Sequence, residues 1–409
     1  MQKQAQDQMT TGRRVARARR RKEWDQATLA REMGRSVSWV TKVENDRLPL
    51  DRASVTARLA EVLAVEVPEL TGQPYRHETA DLDSGHAAIP DLRLALQQAT
   101  MPGGAILLGH HEPWPLPVLA GKVAYAEELR QDAEFSMLGG ILPQIITDLV
   151  FHTSDDGVNA RDAAEELMLR ACHMARVTAN LLGHHDLGWT AVQRELIAAD
   201  RVGAPELVAA SAWDLCGVWL HEAALDSAKS AALAALDDID EHMSSGDARL
   251  QALWGALHLR AAVAYSRLLD SGEAEGHLGE AERIATRLPV KGNVFQTQFN
   301  RVNTRIHAME ISLELGRPRD AVSRIERVSV AEITSGERQA HYWTCRAAGM
   351  AMNRKDDKAV DALLTADRIA PQHVRNRPLV RNLVRDLRSN GRHSRGREMR
   401  ALATRMGLD

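Results

Sequence analysis

The sequence predicts an all-α chain. Three observations carry that reading. Ala, Leu, Arg and Glu recur throughout the 409 residues while β-branched runs are scarce, a bias toward helix formers. Residues 26–45 read as two short helices joined by a tight turn. From about Ala99 onward, turn residues interrupt apolar helical stretches at spacings of roughly 35 to 50 residues, the range of helical repeat arrays. The length predicts more than one domain. The expected parts are a disordered N-terminus (1–11), a compact helical head (12–72), a linker (73–100) and a helical-repeat body (101–409).

The elements follow in order. A first helix is expected from about Thr11 to Lys22. Asp25 is placed to cap a second, whose Leu29, Ala30 and Met33 make one apolar stripe. Gly34 then offers a left-handed C-terminal stop, and Ser36 restarts the chain as the next N-cap. Val37, Val40 and Val43 follow three apart. Asp51 is read as the cap of a fourth helix running to Ala64, after which Leu70 folds back on the core. Thr71, Gly72, Pro74, Gly85 and Pro90 mark the linker, which ends in a short helix from Asp91 to Gln98. In the body, turns are expected at Gly183–His185, Trp219–His221, Asp270–Gly272, Gly316–Pro318 and Arg354–Asp356. Each hairpin buries its apolar face on the next, which produces a superhelix with a concave groove. Ala105–Leu108, followed by Pro113–Pro117, fits a repeat poorly; a buried connection, a pocket wall and a subunit surface all remain open.

Residues 12–64 resemble the DNA-binding domain of the Cro/CI-type repressors, the xenobiotic-response-element family. Gln26, Leu29–Ala30, Gly34, Ser36 and Lys42–Val43–Glu44 meet its pattern, with Val15 and Arg19 upstream. Glu23 and Asp46 stand where that family often has Gly, and Trp39 where it often has a small polar residue. The resemblance implies a double-stranded DNA operator, with the helix after Ser36 entering the major groove. It also implies an ion pair between Arg19 and Glu44, and a DNA-backbone contact from Gln26. Arg14 and Arg20 lie in an Arg-rich first helix suited to phosphates. Arg35 is suited to guanine and Ser38 to base or phosphate, with Ser36, Lys42 and Arg47 completing the set. Trp39 is read either as a packing residue or as a contact to Arg35, a sugar edge or a thymine methyl.

The body resembles tetratricopeptide repeats at Leu315–Ala321 and at Asp357–Pro371, a turn with its small residue and a helix with its closing Pro. A Cro-type head on such a body is similar to the peptide-pheromone receptors of Gram-positive bacteria. That likeness implies a homodimer whose concave face holds a short peptide, clamped along its backbone by asparagines. Asn300 and Asn303 share one helix face, Asn180 lies in an earlier repeat, and Arg176 stands one turn before Asn180, suited to a peptide carboxylate. A small-molecule effector is the other ligand considered. The competing reading is a DNA-tethered scaffold that binds a partner protein constitutively.

The rest of the sequence narrows the function class. Residues 1–72 hold 14 Lys+Arg against 10 Asp+Glu, and residues 375–405 hold 10 Arg against Asp386 and Glu398, so positive charge collects at the two ends. The terminal Arg run reads as a solvated cap or a surface for an acidic partner. Cys172, Cys216 and Cys345 are widely separated and make no disulfide framework, consistent with a reducing cytoplasm. No signal-peptide core and no run long enough for a bilayer are read, so no membrane partner is expected. His110, His111, His173, His184 and His185 lack metal-ligand spacing, and no phosphate-binding Gly loop or nucleophile elbow occurs. Neither cofactor nor catalysis is expected.

Overall fold

The computed structural model describes residues 9–75, 80–101, 112–154, 158–288, 293–391 and 394–408. Among them every regular element is a helix. Most of the expected disordered N-terminus, together with Ala105–Leu108, His110 and His111, lies outside the described residues.

The head comprises α1 (Thr11–Arg21), α2 (Gln26–Glu32), α3 (Val37–Glu44), α4 (Ala53–Leu63) and α5 (Val67–Thr71). Its core is built on Val15, Leu29, Val40, Leu59, Leu63 and Leu70. Asp25 caps α2, accepting from the Thr28 amide at 2.7 Å, and Ser36 caps α3, accepting from the Trp39 amide at 3.2 Å. Gly34 takes the left-handed conformation (φ 61°) between them. Glu23 (φ 57°) and Asp46 (φ 55°) adopt it too, without being Gly. That conformation costs a side-chain-bearing residue roughly 1–2 kcal/mol. At Asp46 the carboxylate offsets the cost by accepting from the Gly12 amide at 3.0 Å and the Thr10 hydroxyl at 2.5 Å, at the positive end of α1.

Asp51 does not cap α4. The N-cap position is Arg52, which makes no side-chain cap bond, and the carboxylate that serves α4 comes from the distant body.

Past Tyr75 the chain forms α6 (Ala80–Ala87) and α7 (Ile89–Thr100) in the stretch read as linker. The body continues with α8 (Leu116–Gln131), α9 (Phe135–Thr153), α10 (Val158–Leu182), α11 (His185–Val202), α12 (Pro205–Glu222) and α13 (Leu225–Asp240). It ends with α14 (Ala248–Arg267), α15 (Ser271–Ala285), α16 (Arg301–Glu314), α17 (Pro318–Ile325), α18 (Gly336–Met352), α19 (Asp356–Ile369), α20 (Pro371–Arg375), α21 (Pro378–Asn390) and α22 (Gly396–Arg405). Five hairpins recur: α10–α11, α12–α13, α14–α15, α16–α17 and α18–α19. Each turns through one left-handed residue: Gly183, Ala223, Leu269, Gly316 and Arg354. Four of these lie within two residues of the turns read from sequence. The exception is the second: Trp219–His221 sits inside α12, and the chain turns at Ala223. Trp219 is apolar enough to pack, so the helix continues through it.

The first helices of successive hairpins pack on one another, α10 on α12, α12 on α14, α14 on α16 and α16 on α18, forming an inner wall. α7 buries Leu92 and Leu96 against α9 and α11. α8 then reaches α18, and one core cluster joins Ile89–Ala191 with Val302–Leu408. The two ends of the array therefore meet, and the concave face of the superhelix is drawn around a partly open cavity.

The sequence reading of apolar runs needs one correction. α9 is long and apolar enough by length and composition to cross a bilayer. It carries Pro143 and a buried Asp148, and Leu138, Leu142, Ile145, Ile146 and Leu149 are fully buried in the body core. This packing is that of a central core helix.

Candidate nucleic-acid interface and interior cavity

Glu44, at the end of α3, ties the head together. Arg19 of α1 donates to its two oxygens at 2.6 and 3.0 Å, and Gln26 of α2 donates to it at 2.8 Å. The Arg19 side chain is only 10% exposed, and the bidentate bond to Glu44 raises its pKa. Gln26 also accepts from the Thr41 hydroxyl at 2.8 Å, so both ends of its amide are engaged within the head. These contacts fix α2 and α3 relative to α1 and leave one edge of α3 outward.

On that edge Arg35, Ser36, Ser38, Lys42 and Arg47 are exposed. Trp39 is half-buried against the core, with the Arg35 guanidinium 5.9 Å from its ring centre. Arg20 is exposed on α1. Arg14 is placed differently: its Nε donates to the Met9 carbonyl at 3.1 Å, and a Cβ on Gly72 would stand 2.9 Å from its guanidinium. Val37, read from the sequence as part of the exposed N-terminal half of this helix but not as a contact residue, is 46% exposed beside Arg35 and suited to a thymine methyl. Three-residue steps regress about 60° around a helix, so Val37 cannot share the core face of Val43.

The head is docked on the body. Glu314, at the end of α16, accepts from the Ala53 and Ser54 amides, each at 3.2 Å, and from the Ser54 hydroxyl at 3.0 Å. Asn382 of α21 donates to the Leu50 carbonyl at 3.0 Å and accepts from Thr11 at 3.2 Å. Arg381 lies 3.9 Å from the Tyr75 ring centre. The Arg-rich C-terminal run is thus neither simply solvated nor unpartnered. Arg375 and Arg405 both reach Asp367, at 2.7 and 2.9 Å, and Arg395 reaches Asp361 at 2.8 Å.

Inside the array lies a cavity of about 280 Å³. The inner-wall helices α10, α12, α14, α16 and α18 line it, with α20 and α21, and Ala53, Thr56 and Ala57 of α4 close one side. Six arginines face it: Arg130, Arg176, Arg260, Arg267, Arg338 and Arg377. Arg176 pairs with Asp214 at 2.6 Å, and His173 meets the other oxygen of Asp214 at 2.6 Å. Burial opposes ionising Asp214, but Arg176 and His173 outweigh it and hold the carboxyl well below its usual range. Burial and the adjacent Asp214 push Glu195 the other way, well above the usual carboxylate range. Glu337 holds Arg130 at 3.3 Å and Arg338 at 2.5 Å. Burial drives the cavity histidines below their usual range, His307 to about 3 and His185 to about 4, so they are neutral at pH 7.

Two of the expected ligand residues come together here. Arg176 and Asn180 line the cavity one turn apart on α10. Asn300 and Asn303 do not: Asn300 is the N-cap of α16, accepting from the Asn303 amide at 2.9 Å, and Asn303 is buried away from the cavity lining. All three cysteines are buried, and burial raises the Cys216 and Cys345 thiols to about 12, so neither supplies a thiolate. Among the described residues no cluster of three His, Cys, Asp or Glu side chains is placed to hold a metal ion.

Residues 11–71 match the family model of a helix-turn-helix domain. No curated protein matches the chain. The matched span coincides with α1 to α5, and the outward edge of α3 occupies the recognition position of that motif. The match and the geometry together support a DNA-binding regulator built on a helix-turn-helix head.

Proposed function

We propose that this protein is a sequence-specific regulator of transcription whose helical body dimerises and senses a ligand. It acts in the cytoplasm, on the nucleoid. A short peptide is the ligand that the pheromone-receptor resemblance implies, and Arg176 and Asn180 are its candidate contacts. One observation carries the sensing reading: α4 of the DNA-binding head both closes the cavity and is capped by Glu314 of the body. A ligand that prefers one seating of α4 shifts the head by the difference in its affinity for the two arrangements, and by no more.

The test is operator binding, on fragments recovered by genome-wide mapping, with and without native culture extract. A saturable change in operator affinity supports sensing. No change with extract, together with stable co-purification of one protein, favours the scaffold. Footprinting tests the dimer: two half-sites about one helical turn, or a multiple, apart are expected. A single unpaired half-site at moderate salt sinks it.

A further inference from the structure

We propose that the cavity binds a small ligand carrying two negative charges, a dicarboxylate or a phosphate, held between Arg260 and Arg377. The proposal rests on the sensing reading above and names the chemistry of what is sensed.

The first argument is charge. The carboxylates within ion-pair reach of the six cavity arginines are Asp214, Glu310, Glu314 and Glu337. They serve Arg130, Arg176, Arg267 and Arg338. Arg260 and Arg377 have no carboxylate within 4.0 Å among the described residues. Arg377 meets only ring nitrogens, His341 at 2.5 Å and His373 at 3.3 Å. Arg260 lies over Trp213, its guanidinium carbon 3.9 Å from the ring centre, and its Nε has no hydrogen-bond partner. The cavity histidines are neutral and offset nothing. Two guanidinium charges are thus left in a low-dielectric interior, where an unpaired charge is costly and an incoming anion is strongly favoured.

Geometry gives the second argument. A Cβ on Gly217 would stand 3.1 Å from both Arg176 Nη1 and Arg260 Nη2. The two guanidiniums therefore converge on a backbone that has no side chain to separate them. Asn180 is 3% exposed, and neither atom of its amide has a hydrogen-bond partner. Arg260 and Arg176 thus present two forked donors side by side, the arrangement suited to carboxylate or phosphate, and Asn180 lines the same cavity one turn from Arg176, its amide against Gly188 of α11. Leu181 and Val263 supply an apolar wall for a short carbon skeleton. The volume of about 280 Å³ suits a small molecule better than an extended peptide.

The experiment is calorimetry on the full chain with inorganic phosphate, succinate, the acidic dipeptide glutamylglutamate and the neutral succinamide. At least one anion is expected to bind saturably, one per chain, with succinamide silent. Phosphate or succinate binding identifies a free metabolite as the source; binding of the dipeptide alone identifies an acidic peptide. Arg260→Gln and Arg377→Gln are expected to weaken binding at least tenfold, Arg260→Lys to retain most of it, and Asn180→Ala to weaken it without lowering thermal stability. Three anions no better than succinamide, or wild-type affinity in both Gln variants, overturn the proposal. Operator affinity measured on the same samples separates the two readings. Anion binding that leaves operator affinity unchanged sinks sensing and keeps the anion site. An operator response to extract that survives Arg260→Gln, with no anion bound, sinks the site and keeps sensing.

Discussion

Replacing Glu314 with Gln or Ala tests the joint between head and body. The carboxylate is 6% exposed and accepts three hydrogen bonds from the first turn of α4, at 3.0 to 3.2 Å. Loss of a helix cap costs about 1 kcal/mol. Here the cap is a carboxylate facing the positive end of the helix, which adds up to about 1 kcal/mol in a partly buried setting. Arg267, 3.6 Å from Glu314, keeps Glu310 at 3.7 Å, so it is not stranded. The expected cost for Glu314→Ala is therefore about 2 kcal/mol, or about a thirtyfold loss of protection at 1.4 kcal/mol per decade. Glu314→Gln keeps an acceptor but loses the charge, so it should fall between. The assay is hydrogen exchange at the Ala53 and Ser54 amides under native conditions, with Arg58→Ala as a surface control. Unchanged exchange at both amides in Glu314→Ala would refute the reasoning, because those donors would then be held by something else.

Four further outcomes are expected. Arg35→Ala and Ser38→Ala should lower discrimination between operator and competitor DNA by about 1–3 kcal/mol wherever the wild-type residue makes a good base contact. Arg20→Ala should weaken all DNA alike and make binding less salt-dependent; an unchanged preferred sequence in Arg35→Ala assigns that residue to the phosphate backbone. Gly255→Ala should destabilise: helix propensity favours Ala by about 1 kcal/mol, but the new Cβ would stand 2.1 Å from the Phe299 ring, and overpacking costs about 1–3 kcal/mol. A raised melting temperature would refute that. Stability should also fall with acid between about pH 6.5 and 3. His307 and His185 have folded pKa values, about 3 and about 4, below the unfolded value near 6.5, so the unfolded chain takes up protons first. Their contribution is fully present above pH 6.5 and lost as pH falls through that window, which urea melts across it would register; a flat profile would contradict the burial.

Much of the head was legible in the chain because its signals are local. Asp25, Gly34 and Ser36 act on amides or carbonyls within a few residues of themselves, and the Leu29, Ala30 and Met33 stripe repeats at helical period. Turn residues likewise marked Gly183, Gly316 and Arg354. Where local signals were ambiguous the reading drifted: Trp219 looked like punctuation but packs inside a helix, and Asp51 looked like a cap but leaves α4 to Glu314.

The cavity belongs to tertiary structure alone. Arg176, Arg260 and Arg377 carry no mutual spacing in sequence, and each by itself reads as another arginine in an Arg-rich protein. Asn300 and Asn303 fit an asparagine-pair pattern, but the position of α16 makes one a cap and turns the other away from the cavity. Glu314 lies 261 residues from the amide it serves. Helix periods and caps express forces between residues a turn apart, so a linear reading recovers them. The meeting of α8 with α18 and the gathering of six arginines around one cavity depend on how whole helices stack, a sum of many small packing preferences that no short stretch contains.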